Sequence, residues 1–265
     1  MSVLTFDRHR AEITGQAKRL LSHVDGVPLT APVASCPGWT LAHLLRHVAG
    51  ALTWAGTIVA SRATDPVPHD IVDDVEPRPG DDPATLTAEL ARAAERLAEA
   101  LGEAGPATAV WSPGPVVTTG FWARRMAHET AVHRADAALA AGVRYTLDDA
   151  VALDALDEWT VFAALPEAYG PRPGAPDLLG PGRTLRFEAT GTAADPLGEW
   201  LIDLTGGAPV RRRAAGPAAV TVRGTPGDLL LAVYRRPVAE GAVEVLGDAA
   251  LFDLWRTRAG FWLEE

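Results

Sequence analysis

Residues 36–49 read C-P-G-W-T-L-A-H-L-L-R-H-V-A, and this stretch joins a Pro-Gly interruption of regular structure to the start of a helix. Pro37 and Gly38 interrupt any regular structure before them, and Thr40 is a suitable N-cap for a helix that runs to about residue 60. Apolar residues recur at helical spacing and would form its buried stripe: Leu41, Leu44, Leu45, Val48 and Leu52. The stretch therefore predicts an amphipathic helix that carries two histidines.

Three further segments are predicted to be long helices from their apolar spacing or their composition: residues 6–25, 85–101 and 118–141. Gly142 is the natural stop of the last one, because glycine favours the position after a helix. Residues 63–83, rich in Pro and Asp, are predicted to be a long loop, a feature that is often functional or mobile. Four helices joined by loops predict a four-helix bundle, and a further helix near residues 147–165 leads to the rest of the chain.

The pattern changes in the last third of the chain, where three stretches alternate as strands do: residues 183–190, 218–224 and 242–247. Helices are predicted near residues 225–236 and 248–261, and R-R-R at 211–213 is interpreted as a solvated loop. The sequence thus predicts an α+β protein. A helical bundle with a linker helix occupies residues 1–171, and a smaller α+β domain occupies residues 172–265.

Composition and charge exclude several kinds of partner. Of the 265 residues, 48% are hydrophobic and 22% are charged, so the chain can bury a substantial core. Its formal net charge of −10 argues against nucleic acid and anionic membranes as partners, because no broad basic face is available. No apolar run is long enough to span a membrane, and charges fall where a signal peptide would be apolar, so we expect a cytoplasmic protein.

Two histidine-containing pairs have a spacing that suits metal binding. His43 and His47 are four residues apart on one predicted helix, and Glu129 and His133 are four apart on another, so each pair shares a helix face. His128 points about 100° away from its neighbour Glu129. Two histidines and a glutamate are a ligand set of catalytic zinc with an open fourth position. The spacing alone is more typical of surface pairs or of hydrogen-bonded core groups than of a metal site, and it leaves both interpretations open.

A resemblance to a known family covers nearly the whole chain. The run at residues 36–49, followed by W-A-R-R-M-A-H-E-T-A-V-H-R-A-D at 122–136, resembles the mycothiol-dependent maleylpyruvate isomerase family. A looser match follows in the expected order, with V-T-V-R-G-T-P-G-D-L-L-L-A-V-Y-R-R-P at 220–237 and V-E-V-L-G-D-A at 243–249. The resemblance implies a DinB-like metal-binding bundle and a C-terminal domain similar to sterol carrier proteins.

The resemblance also implies a ligand set for one divalent metal, with zinc the expected ion. The family takes one histidine from the second helix and a Glu-x-x-x-His pair from the fourth, which correspond to His47, Glu129 and His133. His43 and His128 fall outside this set, and we expect them to have a packing or hydrogen-bonding role near the site. Iron or nickel can use the same ligands.

The resemblance to the family also implies arginines at the substrate site. An arginine of the C-terminal domain contacts the substrate in the family, and the matching residue is Arg236, with Arg235 as the alternative. A basic helix end that faces solvent is an equally consistent interpretation of this pair. A second family arginine, from the bundle, has no clear match. Arg62 and Arg78 lie in the corresponding region, and neither is assigned.

The resemblance implies an enzyme that uses mycothiol, the actinobacterial thiol, as a cosubstrate. Its thiolate would add to a small electrophilic substrate that can carry a carboxylate, either for isomerisation or for S-transfer. The alternative is a non-catalytic metal-binding or regulatory protein that retains the fold. The only cysteine, Cys36, excludes an internal disulfide and lacks an assigned base, and we expect it and Trp39 to be structural.

Overall fold

The computed structural model describes residues 4–78, 80–191 and 198–261, which divide into two compact units. The first unit comprises Leu4–Thr146, and the second begins at Leu147. Four stretches of the predicted domains lie outside the described residues: 1–3, Pro79 of the predicted loop, 192–197 and 262–265. None of the helices formed by the described residues is both long and apolar enough to cross a lipid bilayer.

The first unit is a bundle of four long helices with one short helix in a connection. Its helices are α1 (Phe6–Val24), α2 (Leu41–Ser61), α3 (Asp70–Asp73), α4 (Pro83–Ala104) and α5 (Thr119–Ala140). Helices α1 and α2 each pack against both α4 and α5. The predicted four-helix bundle is therefore confirmed, and the predicted loop at 63–83 contains the single helical turn of α3.

Local signals explain where the long helices begin. Thr40 is the N-cap of α2, as predicted, and the five apolar residues of its predicted stripe are all buried. The side chain of Asp82 accepts a hydrogen bond from the backbone N–H of Thr85 at 2.7 Å, and Pro83 occupies the first position of α4. Most residues of α5 are buried, a larger share than in the other three long helices.

Among its described residues, the second unit combines a five-stranded sheet with four helices. Its elements are α6 (Asp149–Phe162), α7 (Pro166–Tyr169), β1 (Thr184–Ala189), β2 (Glu199–Asp203), β3 (Val210–Arg212), β4 (Val220–Gly224), α8 (Pro226–Val233), β5 (Val243–Gly247) and α9 (Ala249–Ala259). The strand order is β3-β2-β1-β4-β5. Only β1 and β4 pair in parallel, and the other neighbours are antiparallel. The predicted α+β class is confirmed, with β2 and β3 in addition to the three predicted strands.

Alternate residues of the central strands point into one core. Phe187 of β1 pairs in register with Val222 of β4, and both are buried. The ring of Phe187 lies 5.1 Å from that of Trp255 on α9, measured between centroids. The ring centroid of Trp159 on α6 lies 4.3 Å from that of Tyr234 at the end of α8. Helices α6, α8 and α9 thus complete the core that begins on the sheet.

The interpretation of residues 211–213 as a solvated loop was wrong. Arg211 lies in β3, and its Nη1 donates to Oδ1 of Asp157 at 2.9 Å. Nε of Arg213 donates to the same oxygen at 3.1 Å, and its guanidinium lies 4.2 Å from the ring centroid of Trp200. Asp157 is buried, so it requires cationic partners, and the arginine run supplies them.

Helix α6 groups with the second unit rather than with the bundle. The sequence pattern placed the division between residues 171 and 172, whereas the compact units divide at Leu147. Helix α6 packs on α8, and its Asp157 binds the arginines of the sheet. These contacts lie far apart in sequence, and the helical periodicity of residues 149–162 does not indicate them.

Candidate metal centre

Two neighbouring helices of the bundle bring three potential metal ligands together. His47 is on α2, and Glu129 and His133 lie one turn apart on α5. Nε2 of His133 is 2.9 Å from Oε1 of Glu129, and Nε2 of His47 is 3.6 Å from the same oxygen. The three ligand atoms all lie within 4.8 Å of one another. Because α2 and α5 pack together, residues distant in sequence share one centre.

The donor set fits a divalent metal such as zinc. Ligand bonds of about 2.0–2.1 Å in a tetrahedral site separate neighbouring ligand atoms by about 3.3 Å. The two distances to Oε1 of Glu129, 2.9 and 3.6 Å, bracket this value. Two of the three ligand–ligand separations are therefore close to those of a tetrahedral site, in which three protein ligands leave a fourth position open.

The second ring nitrogen of each histidine already faces an oxygen acceptor. Nδ1 of His133 donates to Oδ2 of Asp136 at 2.9 Å. Nδ1 of His47 donates to the backbone carbonyl of Val72 at 3.4 Å. Both contacts leave Nε2 directed at the shared centre, the arrangement typical of metal-binding histidines. Asp136 was not identified from the sequence, although its position three residues after His133 is a usable signal.

The long connection between α2 and α4 is packed against α2 and supplies the acceptor for His47. Nε1 of Trp54 donates to the carbonyl of Val67 at 3.0 Å. Arg46 binds Asp81 with two hydrogen bonds of 2.9 Å, and both side chains are largely buried. These contacts fix the segment at both of its ends, with α3 between them.

Charges around the centre fix the protonation of its groups in the absence of metal. Burial alone would raise the pKa of Glu129, but the guanidinium of Arg125 and the ring of His133 hold it well below its usual range. Burial alone would lower the pKa of His133, but the carboxylates of Glu129 and Asp136 outweigh it and raise the pKa to about 9. His133 and Glu129 therefore form an ion pair at neutral pH. Arg125, one turn before Glu129, was not identified from the sequence.

The turn at residues 36–39 contacts the same centre. The ring of Trp39 lies 4.9 Å from that of His47 and 6.5 Å from that of His133, stacked on the latter. The thiol of Cys36 donates to Oδ2 of Asp136 at 3.6 Å. The C-P-G-W motif is thus part of the surroundings of the candidate ligands.

Comparison with known families agrees with this architecture. Residues 10–138 match the model of the mycothiol maleylpyruvate isomerase N-terminal domain, and residues 150–254 match the model of the MDMPI C-terminal domain. The chain belongs to the mycothiol-dependent maleylpyruvate isomerase family. The predicted resemblance is confirmed by both matches, which occur in the expected order.

Two solved structures share the fold of this family member. One is the crystal structure of the mycothiol-dependent maleylpyruvate isomerase, at 16% identity with a TM-score of 0.61, and the match covers 93% of this chain and 95% of that one. The other is a histidine-to-alanine mutant of that isomerase, at 15% identity with the same TM-score and coverage. At these identities the likeness establishes the fold alone. No curated protein matches this chain in sequence.

The two histidines outside the expected ligand set have other partners in this family member. Nδ1 of His43 accepts a hydrogen bond from the backbone N–H of Thr40 at 3.1 Å, which satisfies a donor at the start of α2. The ring of His128 is buried in α5 and lies edge-on to the ring of His9, with a centroid separation of 5.8 Å. Neither side chain belongs to the group around Glu129.

The arginines considered as substrate-binding candidates from the sequence lie at or near the ends of helices or in a loop. Arg235 adopts a left-handed φ of 60° and its Nη2 donates to the carbonyl of Gly260 at 3.1 Å. Arg236 follows at the end of α8, and its Nη1 donates to the carbonyl of Tyr234 at 2.9 Å. In the bundle, Arg78 pairs with Asp74, and Arg62 ends α2 with a φ of 51°.

Proposed function

We propose that this protein is a metal- and mycothiol-dependent enzyme that adds a thiolate to a small electrophilic substrate. His47, Glu129 and His133 would hold one divalent metal, with zinc the expected ion. The observation that supports this proposal is the approach of their three ligand atoms to within 4.8 Å. A bound metal of this kind favours the thiolate form of a small-molecule thiol at neutral pH.

The residues around the centre have distinct roles in this proposal. Arg125 holds one oxygen of Glu129 and leaves the other, Oε1, directed at the two histidines. The side chains of His47 and Glu129 are 19% and 23% exposed, whereas that of His133 is 9% exposed. A thiol would therefore approach on the side of His47 and Glu129, where solvent already reaches the centre.

The thiolate sulfur would form a C–S bond with one carbon of an activated cis double bond, and the electron pair of that bond would move onto the activating carbonyl. Rotation about the resulting single bond, return of the electron pair and cleavage of the C–S bond would give the trans isomer and regenerate the thiolate. If the carbanion is protonated instead, the adduct leaves with the thiol attached, which is S-transfer. Neither route requires the chain's own cysteine, because the small-molecule thiol supplies the sulfur nucleophile.

Arg236 is proposed to bind a carboxylate of the substrate. A guanidinium can form a two-pronged hydrogen-bonded pair with a carboxylate, and an acidic protein with a net charge of −10 needs such a local cation to hold an anion. Arg235, whose Nη2 donates to the carbonyl of Gly260, is the alternative candidate. Replacement of Arg236 by lysine is expected to raise KM for carboxylate substrates more than it lowers kcat.

The proposed activity is tested with zinc-loaded protein, mycothiol and a panel of cis-unsaturated carboxylic acids, with products identified by NMR. Turnover is expected only when metal and thiol are both present. A product without sulfur identifies isomerisation, and a product that retains the thiol identifies S-transfer.

Variants make this experiment specific for the candidate centre. His133→Ala is expected to abolish metal binding and turnover. His43→Ala is the matched control, because it removes an imidazole from the same region of the bundle without removing a candidate ligand, and it is expected to retain the metal. A protein that binds metal but turns over no pair of thiol and electrophile would contradict the enzymatic proposal and support a binding or regulatory role.

A further inference from the structure

Asp136 is a buried carboxylate that contacts one candidate metal ligand and the only cysteine. It has no exposed surface, and its Oδ2 accepts hydrogen bonds from Nδ1 of His133 at 2.9 Å and from the thiol of Cys36 at 3.6 Å. We propose that Asp136 is a positioning residue that fixes the ring of His133 with Nε2 towards the metal, and that Cys36 holds Asp136 in place. This inference rests on the proposed metal centre.

The burial of Asp136 indicates a specific role for its contacts. An ionised carboxylate is costly to remove from water unless hydrogen-bond donors compensate for the lost hydration. Helix α5 places Asp136 three residues after His133, so the carboxylate lies on the same face as the ring and reaches Nδ1. A hydrogen bond at Nδ1 fixes both the tautomer and the orientation of the ring, which leaves the lone pair of Nε2 for the metal.

The turn at residues 36–39 connects this carboxylate to both histidines. Two backbone hydrogen bonds hold the turn: the N–H of Cys36 donates to the carbonyl of Val33 at 2.9 Å, and that of Trp39 donates to the carbonyl of Cys36 at 3.0 Å. Its first residue reaches Asp136, and its last residue covers the rings of His47 and His133. The C-P-G-W motif thus positions the ligands by two separate contacts, one through the carboxylate and one through the indole.

A competing position for a metal lies on the other side of the His133 ring. Cys36, His133 and Asp136 also have ligand atoms within 4.8 Å of one another. A metal at that position would take sulfur as a ligand and would use Asp136 directly. The proposal therefore predicts that the protein's own sulfur does not bind the metal, and cobalt, which absorbs strongly when bound by thiolate, distinguishes the two positions.

The test measures zinc affinity of the full chain by competition with a chelator, together with the melting temperature of each metal-free variant. Asp136→Ala is expected to weaken zinc binding by about 10–100-fold, the typical effect of removing a partner of a metal-binding histidine. Asp136→Asn keeps an acceptor oxygen and is expected to restore part of that loss. Cys36→Ala is expected to weaken binding less than Asp136→Ala, and Cys36→Ser, which keeps a donor, still less.

Glu12→Gln is the matched control. Glu12 is also a buried carboxylate of the bundle, and it accepts hydrogen bonds from Arg8 and Gln16, both at 2.7 Å. Its variant is expected to change the melting temperature but not the zinc affinity. A general loss of stability would weaken zinc binding equally in Glu12→Gln and Asp136→Ala, and that result would overturn the positioning role.

Three further results would overturn the inference and are distinguishable. Zinc affinity unchanged in Asp136→Ala would refute the positioning role but leave the metal centre intact. A sulfur-to-cobalt charge-transfer band in the cobalt-loaded chain without added thiol, lost in Cys36→Ala, would place the metal at the competing position. Absence of metal binding in the unaltered chain would refute the proposed function together with this inference.

Discussion

Nε2 of His133 lies 2.9 Å from Oε1 of Glu129, one helical turn earlier on α5. In the metal-free chain these atoms form an ion pair, since the pKa of His133 is raised to about 9 and that of Glu129 is lowered. A metal that binds both atoms must take the place of the proton on Nε2. Metal and proton therefore compete for the same atom, and this competition has measurable consequences.

The first prediction concerns the pH dependence of metal binding. Because the pKa of His133 in the folded chain is about 9, zinc binding at pH 7.5 should release about one proton from this ring. The apparent zinc affinity is expected to rise about tenfold per pH unit from pH 7 and to level off above pH 9. Calorimetry in buffers of different ionisation enthalpy measures the proton count, and zinc binding without proton release at pH 7.5 would contradict this account.

The raised pKa of His133 also predicts how the stability of the metal-free chain depends on pH. The folded pKa of His133 lies above its ordinary value of 6.5, so the contribution of the ion pair is fully present below pH 6.5 and is lost as the pH rises through 9. Urea unfolding of the metal-free chain at several pH values should show this decline. His133→Ala should remove the part of the decline that arises from this group.

The second prediction concerns Gly50, where α3 approaches α2 most closely. A Cβ at Gly50 would overlap the carbonyl oxygen of Ile71 and lie 3.3 Å from Cα of Val72. Gly50→Ala should therefore displace the segment that accepts the hydrogen bond from His47. We expect a loss of about 1–3 kcal/mol in the free energy of unfolding and a weaker zinc affinity.

Gly56→Ala is the control for this prediction, because Gly56 is on the same helix with ordinary space around it. A Cβ there would lie 3.9 Å from Cα of Leu97. Since alanine favours a helix over glycine, Gly56→Ala should raise the free energy of unfolding by about 0.5–1 kcal/mol and leave the zinc affinity unchanged. Equal zinc affinity in both variants would refute the link between α3 and the centre.

The third prediction concerns the buried carboxylate of the second unit. Asp157→Ala would leave the guanidinium groups of Arg211 and Arg213 without the carboxylate that both now bind. We expect a loss of about 3 kcal/mol in the free energy of unfolding, as for other broken buried ion pairs. Asp253→Ala, which removes an exposed partner of Arg256, should cost less than about 1 kcal/mol. Similar losses in the two variants would contradict a buried role for Asp157.

The long helices were predictable from sequence because their signals are local. A cap such as Thr40 and the apolar residues that follow it lie within a few positions of each other. Strands β2 and β3 were not predicted, since β2 reads E-W-L-I-D without a clear apolar–polar alternation and β3 consists of Val210 and two arginines. What makes residues 210–212 a strand is pairing with β2 and the buried Asp157, and both are tertiary contacts.

The candidate centre was predictable in part for the same reason. The four-residue spacing of Glu129 and His133 places them on one face of a helix, and the sequence shows it directly. That His47 faces them follows from the packing of α2 against α5, which only the family resemblance suggested. The carbonyl of Val72 could not be predicted, because it is a backbone atom of a loop whose position depends on contacts with α2.

Metal content of the protein, purified without added metal, tests the central claim most directly. Elemental analysis of the unaltered chain and of the His47→Ala, Glu129→Ala and His133→Ala variants should give about one divalent metal ion per unaltered chain. Each variant should contain far less, whereas His43→Ala should match the unaltered chain. An unaltered chain without metal, or a His133→Ala variant that retains a full equivalent, would contradict the account.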